Sequence, residues 1–235
     1  MLRPDLEIVF IPGFAQQGEA WQPVADRVGE SYRSAYAKFA TPDFEGRLAE
    51  LEGCESALVG YSLGGRLALH AALRGLAGPR ALVLLGVSAG IDDPARRAER
   101  RVADEKLADW IEAHSIEEFT ARWEANPVFA SQPPELVAAQ RPGRLAQAPR
   151  DLAITLRTAG QGALDPVWNQ LPELRCPVLA VAGELDEPYA RAAERIATSV
   201  RNGRAALVPG AGHAAHLERP DEFAEILKSF LEEVE

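Results

Sequence analysis

Cysteine is nearly absent from this chain. Its two residues, Cys54 and Cys176, stand far apart and outside any metal-ligand spacing, which excludes a disulfide scaffold or a thiolate cluster. Each precedes an apolar run and reads as a small, reduced, packed side chain. Positive charge is also in deficit. A formal net charge of -10 and a pI near 5.0 argue against nucleic acid and anionic membrane surfaces as partners. No apolar run approaches the ~20 residues that cross a bilayer, and there is no repeat or low-complexity tract. The opening residues, Met1-Leu2-Arg3-Pro4-Asp5, enter an apolar run without a signal-peptide layout, so the expected location is cytoplasmic. The four histidines, His70, His114, His213 and His216, do not pair with carboxylates at ligand spacing, and no metal site is expected.

What is present is the alternation of an α/β protein. Near-continuous apolar runs at 6–11, 56–59, 81–87 and 177–182, with weaker ones at 32–39 and 205–208, read as strands of a mostly parallel sheet. Helical spacing at 19–28, 42–51, 63–75, 188–199 and 220–233 places helices on both its faces. Between 91 and 168 the alternation stops. Only helical pieces remain there, at 95–113, 116–124, 134–140 and 150–159, rich in arginine and separated by prolines. The expected organisation is an α/β core in two parts, 1–90 and 169–235, with an all-helical cap at 91–168.

The chemistry centres on Gly60-Tyr61-Ser62-Leu63-Gly64. Gly-x-Ser-x-Gly between a strand and a helix is the pattern of a nucleophile elbow, where a strained turn exposes the serine at the carboxyl edge of the sheet. An ordinary glycine-rich turn would look the same, so context decides. Asp186 follows the strand at 177–182, and His213 follows the last strand in Gly210-Ala211-Gly212-His213. Both fall in loops at the edge where Ser62 is exposed, in the chain order serine, acid, histidine. Glu184 remains a rival acid, His216 a rival base, and Asp186 could instead cap the next helix. His70 reads as a packed or surface residue, and His114 as solvated. Two backbone amides, Leu63 after the serine and Phe14 after the first strand, are the natural oxyanion donors. Arg66, one turn into the helix after Ser62, either lies on the surface or turns toward the site mouth, where a neutral ester would have no use for it. Further arginines at 96, 97, 100, 101, 141 and 144 could supply bidentate partners for a carboxylate-bearing ligand.

Four stretches together resemble one family of α/β hydrolases, the 2-succinyl-6-hydroxy-2,4-cyclohexadiene-1-carboxylate synthases of menaquinone biosynthesis. They are Pro12-Gly13-Phe14, the run from Gly60 to Arg66, the cap run Trp123-Glu124-Ala125-Asn126-Pro127-Val128-Phe129-Ala130-Ser131, and the run from Gly212 to Pro220. The resemblance implies an α/β-hydrolase-fold lyase that needs no metal or organic cofactor and eliminates pyruvate from a small polycarboxylate. It implies Ser62 as base, activated by His213 and Asp186, with Tyr61 and Trp123 lining the pocket and Arg66, Arg100 and Arg144 on carboxylates. Two stretches depart from the family. After Tyr36 an Asp-Leu-Pro-Gly-His-Gly loop is replaced by the shorter Ala37-Lys38-Phe39-Ala40-Thr41-Pro42, and after Asp186 Pro188-Tyr189 stand where lysine and phenylalanine are usual. A serine carboxylesterase or carbon–carbon hydrolase for a small carboxylate-bearing substrate is the alternative. A binding protein on the same scaffold would require the three triad residues to lie too far apart to interact.

Overall fold

The computed structural model describes residues 6–234; residues 1–5 and 235, assigned above to the two parts of the core, lie outside the described residues. Six strands form one sheet: β1 (Glu7–Ile11), β2 (Arg33–Tyr36), β3 (Ala57–Tyr61), β4 (Ala81–Leu85), β5 (Val178–Gly183) and β6 (Gly203–Val208). Their order is β2-β1-β3-β4-β5-β6, and every pairing is parallel.

Successive strand side chains point to opposite faces, and both faces are covered, so the central strands are apolar throughout. In β3 and β4, Leu58, Leu82 and Leu84 join one core layer, while Ala57, Val59, Ala81, Val83 and Leu85 join the other. The first layer packs under α2 (Phe44–Ala49), α3 (Leu63–Leu73) and α8 (Glu187–Ser199). The second packs under α1 (Gln22–Val28), the short α9 (Ala215–Glu218) and α10 (Pro220–Glu233). The helical spacing expected at 19–28 divides into a 3-10 turn, Gly18–Trp21, and α1, because Pro23 suits the first turn of a new helix.

Between β4 and β5 lie only helices: α4 (Pro94–Glu112), α5 (Ile116–Glu124), α6 (Pro134–Leu145) and α7 (Pro149–Ala159), with short 3-10 turns. Asp93 caps α4 by accepting from the Ala95 and Arg96 amides, and Ser115 with Glu118 forms a capping box on α5. The helix expected to stop at 140 continues through Pro142 to Leu145. The ring costs one backbone hydrogen bond, and the last turn beyond it carries Arg144, a buried side chain with its own partners.

Candidate active site

The sheet changes direction of winding at β1, whose neighbours are β2 on one side and β3 on the other. Ligands of open parallel sheets bind in the crevice that such a switch leaves at the carboxyl ends of the strands. β1 delivers the Pro12-Gly13-Phe14 loop there, β3 delivers Ser62, β5 leads to Asp186 and β6 to His213.

Ser62 has φ 50 and ψ -107, a conformation that L side chains rarely adopt. Its amide donates to the Leu85 carbonyl at 2.8 Å, which ties the strained turn to β4. The glycines explain how the turn fits. A Cβ at Gly60 would strike the backbone of Gly65, and one at Gly64 would strike the Ile11 and Pro12 carbonyl oxygens. α3 can therefore start close against the loop after β1. The amides of Leu63 and Phe14 both have no protein acceptor among the described residues, as expected of donors left for a ligand.

His213 Nδ1 lies 2.6 Å from Asp186 Oδ2, and His213 Nε2 lies 3.4 Å from Ser62 Oγ. The three groups are thus in register, with the serine contact still long. Asp186 makes no side-chain capping bond to α8; its carboxylate is directed to the imidazole instead. The rivals lie elsewhere. Glu184 accepts from the Gly210 amide at 2.8 Å. His216 is fully buried, with its ring 4.3 Å from that of Trp21 and 4.5 Å from that of Tyr61, and burial pushes its pKa down to about 3. His70 is buried edge-on to Phe44, at about 4 for the same reason. His114, expected in solvent, stacks on Trp110 at 4.1 Å.

Glu218, within the run from Gly212 to Pro220, shapes the histidine loop. One of its carboxylate oxygens accepts from the Gly212 amide at 2.7 Å and the other from the Ala214 amide at 3.1 Å, bracketing His213.

A cavity of ≈ 250 Å³ lies above Ser62, lined by Tyr61, Leu63, Phe14, Trp123 and His213 together with Arg66, Arg100 and Arg144. The three arginines therefore reach one space, but they differ in how much charge they have to spare. Arg144 is 2% exposed, and it is held by Glu124 at 3.2 Å, Gln140 at 3.0 Å and the Val137 carbonyl at 3.3 Å. Burial lowers its pKa and Glu124 opposes that shift. Arg100 is exposed and paired with Asp104 at 2.8 Å. Arg66 donates to the Ala159 carbonyl at 2.6 Å and has no carboxylate within ion-pair distance among the described residues. Burial pushes it down to about 10. A guanidinium that stays charged at neutral pH, poorly hydrated and unpaired, is a strong anchor for an anion.

Sequence reasoning missed Gln161 and Tyr189, which line the same cavity. The only signal for Tyr189 was that it stands in an unusual place. The shorter stretch after Tyr36 matters too: Ala37, Lys38 and Phe39, with Arg47, line an adjoining cavity of ≈ 350 Å³ that shares Phe14, Gln16, Leu63 and Thr155 with the first. Among the described residues no group of three or more His, Cys, Asp or Glu side chains could hold a metal ion, and no helix is long and apolar enough to cross a membrane.

Known proteins resemble this arrangement. The model of the alpha/beta hydrolase family matches residues 8–226. The 2-succinyl-6-hydroxy-2,4-cyclohexadiene-1-carboxylate synthase of Salmonella paratyphi C (strain RKS4594) is 30% identical over 94% of this chain and 93% of its own. A protein of Bacillus subtilis (strain 168) that bears the same name provisionally is 36% identical; the match spans 74% of this chain and 65% of that protein. The solved structure of MenH from S. aureus superposes with a TM-score of 0.91 at 30% identity, covering 98% of this chain and 95% of that one. A thermophilic esterase from Thermogutta terrifontis, at 19% identity and a TM-score of 0.80 over 97% of this chain and 90% of its own, shares the fold. Parallel sheet, strained serine turn and sequence likeness agree: this chain belongs to the α/β-hydrolase family and, within it, to the family of 2-succinyl-6-hydroxy-2,4-cyclohexadiene-1-carboxylate synthases.

Proposed function

We propose that this protein is a carbon–oxygen lyase of menaquinone biosynthesis, acting in the cytoplasm, that eliminates pyruvate from a small polycarboxylate to give 2-succinyl-6-hydroxy-2,4-cyclohexadiene-1-carboxylate. One observation carries the reading: Arg66, Arg100 and Arg144 line the same cavity as Ser62. In a chain of net charge -10, gathering three guanidiniums over a serine opposes the overall field, and several carboxylates on one ligand repay it. The relatives named for this synthase supply the substrate class.

The chemistry follows from the groups in register. His213 Nε2 takes the proton of Ser62 Oγ, the contact of 3.4 Å tightening once substrate excludes water. Asp186 holds Nδ1–H and steadies the imidazolium that results. The serine oxygen then removes the proton from the ring carbon that bears the succinyl carbonyl, and the pair is shared with that ketone oxygen. The electron pair left behind moves through the ring and breaks the carbon–oxygen bond to the departing enol of pyruvate. Phe14 and Leu63 amides take the negative charge that builds on oxygen during this step. The imidazolium returns a proton to the leaving group, which ketonises to pyruvate, so the cycle closes without net oxidation.

The same serine, histidine, aspartate and paired amides also suit acyl transfer, and the adjoining cavity by Lys38 and Arg47 has room for an acyl arm. A carboxylesterase or carbon–carbon hydrolase for a small carboxylate-bearing substrate is therefore the second reading. Incubating purified protein with the synthase substrate and following pyruvate with a coupled dehydrogenase separates the two. The lyase releases pyruvate and leaves p-nitrophenyl esters intact; ester turnover without pyruvate would reject it.

A further inference from the structure

Tyr189 sits near the start of α8, its amide bonded to the Asp186 carbonyl at 3.0 Å, so one loop positions both the triad acid and this phenol. Its ring lies 4.6 Å from the His213 ring, while Tyr61 lies 5.3 Å away from the same ring. The imidazole is thus flanked by two tyrosines. The Tyr189 hydroxyl accepts from Gln161 Nε2 at 2.5 Å. A phenol that accepts from an amide keeps its own proton to donate, and acceptance polarises the O–H and strengthens that donation. Both side chains line the cavity that holds Arg66, and the phenol lies within electrostatic reach of that guanidinium. The pair also borders an outer groove lined by Ser88, Trp168 and Arg195, so Gln161 and Tyr189 stand between the two spaces.

Resting on the lyase reading, we infer that the Tyr189 hydroxyl, oriented by Gln161, donates a hydrogen bond to the carboxylate of the substrate that Arg66 binds, making Tyr189 a specificity-determining residue of this cavity. Arg66 already commits Nη1 to the Ala159 carbonyl, so a neutral donor beside the guanidinium adds a further fixed contact that selects one orientation of the carboxylate. Phenylalanine in this position would keep the contact with His213 and lose the donor.

The test compares wild type, Tyr189→Phe, Gln161→Met and the double variant, measuring pyruvate release and the binding of succinate followed by tryptophan fluorescence. Methionine keeps the bulk of the partition while removing the amide. Tyr189→Phe is expected to raise KM and the succinate Kd by about tenfold or more, the usual effect of losing a hydrogen bond to a charged group, with kcat within about threefold. Gln161→Met should show part of that rise, and the double variant no more than Tyr189→Phe, because the amide acts through the phenol. Unchanged KM and Kd in Tyr189→Phe, or a loss confined to kcat, would overturn the inference while leaving the lyase reading intact. A wild type that releases no pyruvate, yet loses succinate affinity in Tyr189→Phe, would sustain the carboxylate contact and overturn the lyase reading instead.

Discussion

The sheet and the helical insert between β4 and β5 are held together by different forces. The sheet lies between two broad apolar layers, and its close approaches, Gly60 against Gly65 and Gly64 against Ile11, leave no space for a side chain. The insert has a small core around Ala108, Ile111, Phe119, Leu152, Ala153 and Leu156. Ion pairs also link its helices. Arg157 on α7 reaches Glu105, Asp109 and Glu112 on α4 at 3.2, 2.7 and 2.8 Å, and Glu124 on α5 gathers Arg141 and Arg144 from α6. Packing is stiff, whereas charge pairs at the surface are soft and screened. The division suits the proposed reaction. Proton transfer needs atoms held within tenths of an ångström, and Ser62, Asp186 and His213 all hang from strand ends. Anion binding tolerates movement, and the insert supplies Arg100 and Arg144.

The largest expected effect falls on the sheet side. Ser62→Ala should lower pyruvate release by at least about 10³-fold with substrate binding retained, measured as kcat against the succinate Kd. Loss of binding with kcat preserved would assign the serine to the wrong half of the comparison.

Next come the arginines. Arg66→Ala should cost about 2–4 kcal/mol in kcat/KM, since it removes a partly buried guanidinium that has no carboxylate partner. Arg100→Ala should cost less, because that exposed side chain already shares its charge with Asp104. Arg144→Ala should lower the thermal midpoint as well as kcat/KM, as it strips Glu124 of its buried partner. Equal losses for Arg66 and Arg100 would erase the distinction between paired and unpaired cations.

Acid should reveal the two regions in sequence. His70, packed on Phe44 of α2, and His216, packed on Trp21 and on Tyr61 of β3, are pushed by burial down to about 4 and about 3, against 6.5 for a free ring. Below about pH 6.5 the unfolded chain takes up protons at these rings and the folded chain does not, so stability falls with pH until the folded values are reached. His216→Phe should therefore flatten the dependence of the urea midpoint on pH in that window, by up to about 1.4 kcal/mol per pH unit. Glu124, lowered chiefly by its hydrogen bond to Arg141, acts later. Its stabilisation is complete above 4.5 and disappears as pH drops through its depressed folded value. A slope unaltered in His216→Phe would mean that the ring is not what acid attacks.

The smallest effect belongs to the Arg157 cluster. Arg157→Met should lower stability by about 1 kcal/mol or less and reduce its salt dependence, read as hydrogen exchange in α4 and α7. An equal change in β3 and β4 would show that the insert and the sheet unfold as one unit.

Some of this was readable from residues alone. Parallel strands buried on both faces must be apolar at every position, so β3, β4 and β5 announced themselves, and Gly60, Gly64 and Ser62 marked the turn between strand and helix. The long arginine-rich interval lacked any strand pattern, and only helices and 3-10 turns lie between β4 and β5. The last turn of α6 was not readable, because Pro142 is locally a stop signal, whereas Arg144 beyond it pairs with Glu124 of another helix, a contact no local pattern records. Glu218 was equally hidden: a carboxylate that accepts two loop amides looks in sequence like any surface acid.

By itself the sequence determined periodicity, turn chemistry and the order of serine, acid and histidine, since those depend on near neighbours and on the alternation of strand and helix. Tertiary structure decided which acid and which imidazole meet beside Ser62, which of the three cavity arginines has no carboxylate partner, and that Gln161 faces Tyr189 across 28 positions of chain. The reason is distance along the backbone. A cavity's field and its hydrogen bonds belong to groups that meet only when the sheet closes and the insert folds over it, and no local pattern records which donor will find an acceptor already taken.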